Sequence, residues 1–93
     1  MSRIVLTRRL PEAFAPILDR VDAWQWDQDR PMSPAELRFH LAEAEGVLCM
    51  VPDPIDGTVM GDRLRVISQM AVGVDNVDVE EATRRGIPVG HTP

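Results

Sequence analysis

Residues 69 to 78, QMAVGVDNVD, place small side chains and a glycine directly after an apolar run. The small residues Ala71 and Gly73 leave the backbone N–H groups of Val72 and Gly73 accessible. Two consecutive exposed amides form a shallow anion site that suits a carboxylate. The stretch therefore predicts a binding site for a small acid.

The same stretch also has a purely structural interpretation. Gly73 permits a positive φ in a turn, and Asp75 and Asn76 can hydrogen-bond to their own backbone. Asp78 is expected to cap the helix that follows and to do nothing else. From residue types alone, the structural interpretation is the stronger of the two.

Two other segments could line a site with this stretch, because ligands collect at the carboxyl ends of strands in open parallel α/β sheets. Val51-Pro52-Asp53 lies at the end of the third apolar run, and His91-Thr92-Pro93 lies at the end of the fifth. A lone histidine at position 91 is a weak indication of function. Cys49 lies inside GVLCMV and is expected to be a small buried residue, not a nucleophile.

Five short apolar runs alternate with helical patterns, which predicts a parallel sheet covered by helices on both faces. With right-handed crossovers the strand order becomes 2-1-3-4-5. The predicted fold class is α/β, a flavodoxin-like three-layer sandwich. The predicted strands are RIVLT (3–7), AWQW (23–26), GVLCMV (46–51), RVISQM (65–70) and IPVGH (87–91).

Three helices are predicted between these strands. One begins at Ser33-Pro34-Ala35-Glu36, an N-cap with a capping box, and ends before Gly46. Another begins after Asp78 and ends before Gly86. The third predicted helix precedes both in the chain, and its apolar face at helical spacing consists of Phe14, Ile17, Leu18 and Val21. The buried face of the helix that begins at Ser33 consists of Leu37, Leu41 and Ala44. The connection 52–63 is assigned one helical turn around residues 57–61, and His40 is expected at the surface or boundary.

The length, net charge and cysteine count favour one small soluble domain with a small-molecule ligand. The chain has 93 residues and a net charge of -5, which argues against nucleic acid and anionic membranes as partners. The single cysteine and the absence of an apolar stretch long enough for a membrane span indicate a cytoplasmic protein. The chain stops at the end of its fifth strand with no covering helix, so the domain is expected to be truncated there.

Residues 66–93, VISQMAVGVDNVDVEEATRRGIPVGHTP, closely resemble the D-2-hydroxyacid dehydrogenase family, nearest to the glyoxylate and hydroxypyruvate reductases. GVLCMVPDPID (46–56) and RIVLTRRLPE resemble the matching segments, so the likeness covers the whole chain. It implies that residues 1–93 are part of the substrate-binding domain. It also implies that the Rossmann domain, which binds NAD or NADP, is absent from this chain.

The resemblance assigns substrate-binding roles to four residues. The amides matching Val72 and Gly73 hold the substrate carboxylate, and residues matching Met50 and Val51 lie close to the substrate. Pro52 stands where the family commonly has serine, so a hydroxyl contact is lost there. The family's catalytic arginine, glutamate and histidine have no counterpart here, so no catalytic, cofactor-binding or metal-binding residue is expected in this chain. The implied reaction transfers hydride to C2 of glyoxylate or hydroxypyruvate.

Two other interpretations remain open. A receiver-like signalling module shares the strand order, with Asp53 as phospho-acceptor, although Thr7-Arg8-Arg9 replaces its acidic pair and His91-Thr92-Pro93 its lysine. An excised half-domain is compatible with the dehydrogenase interpretation. Since apolar surface would be left uncovered, self-association as a homodimer is also expected.

Overall fold

The computed structural model describes residues 3–10, 12–14, 16, 20 and 22–91, and within this part of the chain it contains a single five-stranded sheet. The strands are β1 (Arg3–Leu6), β2 (Asp22–Gln25), β3 (Gly46–Cys49), β4 (Val66–Gln69) and β5 (Val89–His91). Helix α1 (Pro34–Leu41) joins β2 to β3, and α2 (Val79–Arg84) joins β4 to β5. A short 3-10 helix, Glu12–Phe14, follows β1.

All four strand pairs are parallel, and the order is β2-β1-β3-β4-β5. The predicted α/β fold class and strand order are therefore confirmed. Four of the five strands are shorter than their apolar runs, and β2 has the length of its run but begins one residue earlier. The last residues of most runs leave the ladder and form the loops at the carboxyl edge. Thr7, Met50 and Met70 are the residues that directly follow β1, β3 and β4.

The main apolar cluster of the described residues lies on one face of the sheet. The register aligns one row of side chains across all five strands, and these side chains form one apolar cluster with residues of both helices. Because side chains alternate between the faces of a strand, this row is the core-facing set. The row consists of Trp24, Val5, Val47, Ile67 and Val89, and the helices contribute Leu37, Leu41 and Ala82.

The start of α1 is as predicted, and its end is not. The Ser33 hydroxyl accepts a hydrogen bond from the Glu36 amide at 3.2 Å, and the Glu36 carboxylate accepts one from the Ser33 amide at 2.9 Å. The helix already ends at Leu41, with Ala42 as C-cap, and Gly46 is the first residue of β3. The prediction that Gly46 ends this helix is wrong, because the buried Ala44 lies in the connection and not on a helical turn.

The cap of α2 matches its prediction. The Asp78 carboxylate accepts a hydrogen bond from the Glu81 amide at 3.0 Å. At the other end, Gly86 has a φ of +73°, a left-handed conformation that glycine adopts without strain. This turn lets the chain reverse into β5.

The connection between β3 and β4 contains no full helix. The predicted helical turn around residues 57–61 is present as a single turn, because the Asp56 carbonyl accepts from the amides of Val59 at 3.1 Å and Met60 at 3.2 Å. The segment consists of turns, and it is held by an isolated parallel bridge between Ile55 and Val77. Gly61 allows this connection to pass against the end of α1, where a Cβ would overlap the Leu41 carbonyl oxygen and lie 2.8 Å from that of Ala42. Of the predicted first helical face, Ile17, Leu18 and Val21 lie outside the described residues.

The second face of the sheet is exposed toward the β4 and β5 side. Val66 is 44% exposed, Ser68 and Gly90 are exposed, and Leu48 is half-buried. In the part of the chain that the structure describes, no helix has the length and apolarity needed to cross a membrane.

Candidate functional site

The candidate site lies at the carboxyl edge of the sheet, where the loops that follow β3 and β4 meet. These strands are neighbours, so their carboxyl ends lie side by side. The first loop carries Met50 and Val51, and the second carries Val72 and Gly73. The structure therefore brings the two predicted pairs onto adjacent loops.

Val72 and Gly73 form an open stretch of backbone. Val72 is 70% exposed, and a Cβ added to Gly73 would have no atom within 4 Å. Among the described residues, neither amide has a hydrogen-bond acceptor. Gly73 does not have a positive φ, so the prediction that this glycine serves a left-handed turn is wrong. Two neighbouring amides are thus without an acceptor in the part of the chain that the structure describes.

The loop after β3 contains Met50 and Val51, which differ in their bonding and exposure. The Met50 backbone is engaged, since its amide donates to the Asp53 carboxylate at 2.8 Å and its carbonyl accepts from the Asp53 amide at 2.9 Å. Val51 is 60% exposed. The loop is therefore a fixed turn that presents an apolar side chain to solvent.

Asp53 is the buried anchor of this turn. Its side chain is fully buried and accepts hydrogen bonds from the Thr7 hydroxyl and the Met50 amide, with the Arg8 guanidinium 3.5 Å away. Thr7 is fully buried as well. A phospho-acceptor aspartate must be reachable by a phosphate donor, so this burial contradicts the receiver-like interpretation of Asp53.

Asn76 joins the two loops through its side chain. Its Nδ2 donates to the carbonyl oxygens of Met50 at 2.9 Å and Asp53 at 2.8 Å, and to Gln69 Oε1 at 3.1 Å. Its Oδ1 accepts from Gln69 Nε2 at 2.6 Å. The prediction that Asn76 bonds its own local backbone is wrong, because the side chain reaches across to the neighbouring loop.

Cys49 lies beneath this network and is fully buried, as predicted. Its thiol donates to Gln69 Oε1 at 3.2 Å. Burial raises the pKa of the Cys49 thiol to about 12, and the negative charge of Asp53 adds to the shift. A thiol that stays protonated at neutral pH is a poor nucleophile, so Cys49 has a structural role.

Of the remaining predicted segment, residues 91–93, the structure describes His91. His91 is the last residue of β5 and is exposed, while Thr92 and Pro93 lie outside the described residues. His40 is half-buried and stacks on Trp24 with a centroid separation of 4.0 Å, which confirms its boundary position.

A separate groove of about 670 Å³ lies beside α1. It is lined by residues that include Arg3, Arg38 and Phe39. Arg3 begins β1, which places this groove toward the amino edge of the sheet. Because ligands of open α/β sheets bind at the carboxyl edge, the groove is distinct from the candidate site.

Sequence reasoning missed the roles of Thr7, Gln69 and Asn76. A pattern in the sequence does mark the first two, because each is a polar residue at the carboxyl end of an otherwise apolar run. Gln69 also shares strand parity with the buried Ile67, so its amide must point into the core and needs a partner there. No comparable pattern marks Asn76.

A family model and curated proteins both match this chain. Residues 4–93 match the family model described as D-isomer specific 2-hydroxyacid dehydrogenase, catalytic domain. The chain is 37% identical to glyoxylate reductase/hydroxypyruvate reductase of Homo sapiens, covering 100% of this chain and 30% of that protein. The chain thus spans about 30% of the length of such curated relatives.

Solved structures share the fold. The TT0316 protein of Thermus thermophilus is 38% identical with a TM-score of 0.89, over 98% of this chain and 30% of that one. An NADPH-dependent glyoxylate/hydroxypyruvate reductase of Sinorhizobium meliloti, solved with NADP and malonate, is 22% identical with a TM-score of 0.71, over 99% of this chain and 28% of that one.

Proposed function

Because this chain belongs to the D-isomer specific 2-hydroxyacid dehydrogenase family, we propose that it forms part of the substrate-binding domain of an NAD- or NADP-dependent reductase. The proposed substrates are small 2-keto acids, glyoxylate or hydroxypyruvate, as in the named human relative. In this proposal residues 1–93 hold the substrate, and a separate Rossmann domain outside them carries the cofactor.

The observation that carries the proposal is the pair of free amides at Val72 and Gly73. Consecutive exposed N–H groups can bind an anion, and hydrogen bonds to a carboxylate are stronger than those to a neutral acceptor. The adjacent loop presents Met50 and Val51 toward the same edge. We infer that the amides hold the keto acid's carboxylate while this loop contacts the rest of the molecule.

The described residues do not fit a dinucleotide. A pyrophosphate binds where the first turn of a helix offers free N–H groups. Here the Asp78 carboxylate caps α2 and two acidic residues follow in the first turn, while Ser33 and Glu36 occupy the start of α1. Negative charge at both helix starts repels phosphate. The nicotinamide cofactor would therefore be held outside this chain, and residues 1–93 alone are expected to transfer no hydride.

The test is Gly73→Val in the longer dehydrogenase that we propose contains these residues. A Cβ at this position meets no protein atom and the φ is not left-handed, so the variant should fold with an unchanged melting temperature. The branched side chain would occupy the space of the carboxylate. We expect the KM for glyoxylate to rise about tenfold, equivalent to ~1.4 kcal/mol of binding, with little change in kcat.

Gly90→Val is the matched control. Gly90 is also exposed, and a Cβ added to it would also have no atom within 4 Å, but it lies within β5. Its replacement should leave the KM for glyoxylate at the wild-type value. A folded Gly73→Val enzyme with wild-type KM would contradict the carboxylate site and show that the loop has a purely structural role.

We further propose that the chain self-associates through the second face of its sheet. Val66 and the exposed backbone of Gly90 lie there without a covering helix among the described residues. Uncovered apolar surface of this kind tends to bind a partner, and a symmetric dimer is the commonest outcome. Sedimentation velocity at micromolar concentration should show a dimer, and a monomer at every concentration would contradict the proposal.

We also propose a cytoplasmic location. A buried, unpaired cysteine is suited to a reducing compartment, where disulfides are rare. Fractionation of cells that express a tagged chain would test this, and recovery from a secreted or membrane fraction would contradict it.

A further inference from the structure

The loop that carries the candidate amides has few bonds of its own. At its start the Met70 amide donates to the Cys49 carbonyl at 2.8 Å, and near its end the Val77 amide donates to the Val74 carbonyl at 2.9 Å. Between these bonds Val72 is exposed and Gly73 has open space beside it. Packing therefore does not fix the two amides, and their position depends on how the loop is anchored at both ends.

The Asn76 side chain is the anchor at the far end, three residues after Gly73. Its amide group donates to the carbonyls of Met50 and Asp53 at 2.9 and 2.8 Å, and it pairs reciprocally with the Gln69 amide. An NH2 group has two hydrogens and here faces three acceptors, so one hydrogen is shared. The backbone carbonyl of Asn76 also accepts from the Ile55 amide at 2.9 Å.

These contacts connect the two walls of the candidate site. Met50 and Val51 belong to the loop that receives the bonds, and Val72 and Gly73 belong to the loop that carries Asn76. Gln69 lies beneath them, where it is 1% exposed and its side-chain oxygen accepts from the buried Cys49 thiol. The Asn76 carboxamide thus bonds the two walls together through a side chain, in addition to the backbone bonds that Ile55 makes with Asn76 and Asp78.

We propose that Asn76 is a positioning residue for the substrate carboxylate, holding the Val72 and Gly73 amides at a fixed separation from the Met50 loop. The inference rests on the proposed function of those amides. Only a carboxamide suits this position, because the side chain must donate to the carbonyls of Met50 and Asp53 and accept from Gln69 at the same time.

Asn76→Asp tests the proposal with almost no change in shape. A carboxylate has no N–H and would face three carbonyl-type oxygens, so the two loops should move apart. The probe is oxamate, a stable analogue of a small 2-keto acid, titrated into the labelled 93-residue chain and followed by amide NMR. We expect wild-type chain to show saturable shifts at Val72 and Gly73, and the variant to bind about tenfold more weakly.

Asp78→Ala is the matched control, since it lies two residues further along and removes only a side chain that caps α2. The Asp78 backbone amide, which donates to the Ile55 carbonyl at 2.8 Å, stays in place. Asp78 caps α2 through the Glu81 amide, and its loss should lower the melting temperature. If Asn76 served stability alone, both variants would keep wild-type oxamate affinity in their folded state. Weaker binding in Asn76→Asp and unchanged binding in Asp78→Ala would support positioning.

Asn76→Ala tests the positioning role if the aspartate variant does not fold, because it removes the carboxamide without adding charge. Wild-type affinity in a folded Asn76→Ala chain would overturn the positioning role and leave the proposed function intact. Absence of any shift at Val72 and Gly73 in the wild-type chain would overturn the proposed carboxylate site and, with it, this inference.

Discussion

Replacement of Asp53 by alanine removes the acceptor that organises the turn after β3. The buried Thr7 hydroxyl and the partly buried Met50 amide would both lose their partner. A buried donor left unsatisfied costs about 1–3 kcal/mol. The Thr7 hydroxyl is fully buried and should account for most of the loss, and the partly buried Met50 amide should account for the rest. Together they give a loss of about 3 kcal/mol in the free energy of unfolding.

Asp56→Ala offers a matched comparison three positions further along the same connection. The Asp56 carboxylate also accepts from one hydroxyl and one amide, both of Thr58, but it is exposed. Water replaces the lost acceptor there, so the expected cost is below about 1 kcal/mol. The two variants thus differ mainly in burial.

Urea unfolding followed by circular dichroism measures both losses. A chain of this size has a total stability of about 5–14 kcal/mol, so a loss of about 3 kcal/mol is well resolved. Equal losses in the two variants, within about 0.5 kcal/mol, would show that the buried carboxylate does not hold the turn.

Three further outcomes follow from the same structure. Gly61→Ala should destabilise the chain by about 3 kcal/mol, seen as a lower melting temperature, because its Cβ would collide with the carbonyls at the end of α1. Cys49 should resist iodoacetamide in the native chain and react only after unfolding, since burial raises the pKa of its thiol to about 12, and rapid native labelling would contradict this. Arginine partners lower the pKa of both Glu36 and Glu81 from 4.5 to about 2. Their contribution to stability should therefore be complete above about pH 4.5 and be lost as the pH falls through about 2, as an acid titration of helix content would reveal.

The strand order and both described helix starts could be predicted because they depend on local patterns. Apolar runs separated by helical segments permit few topologies once crossovers are right-handed. Ser33 and Asp78 act through bonds to residues three positions away, so their roles are visible in a short window.

The interior of the candidate site could not be predicted in the same way. The bonds from Thr7 to Asp53 and from Asn76 to Met50 join residues 46 and 26 positions apart, and no local pattern specifies them. The role of Gly61 also depends on a distant neighbour, the end of α1. The exposure of Val72 and Gly73 was expected from the sequence, whereas the bond from the Asn76 side chain to the neighbouring loop was not.

The most direct test of the carboxylate site is an amide NMR titration of the 93-residue chain with oxamate, with acetamide as the uncharged control. The free N–H groups of Val72 and Gly73 should show the largest downfield shifts with oxamate, saturating together, and no shift with acetamide. Shifts of equal size spread over the whole surface, or confined to the groove beside Arg38 and Phe39, would contradict the proposed site.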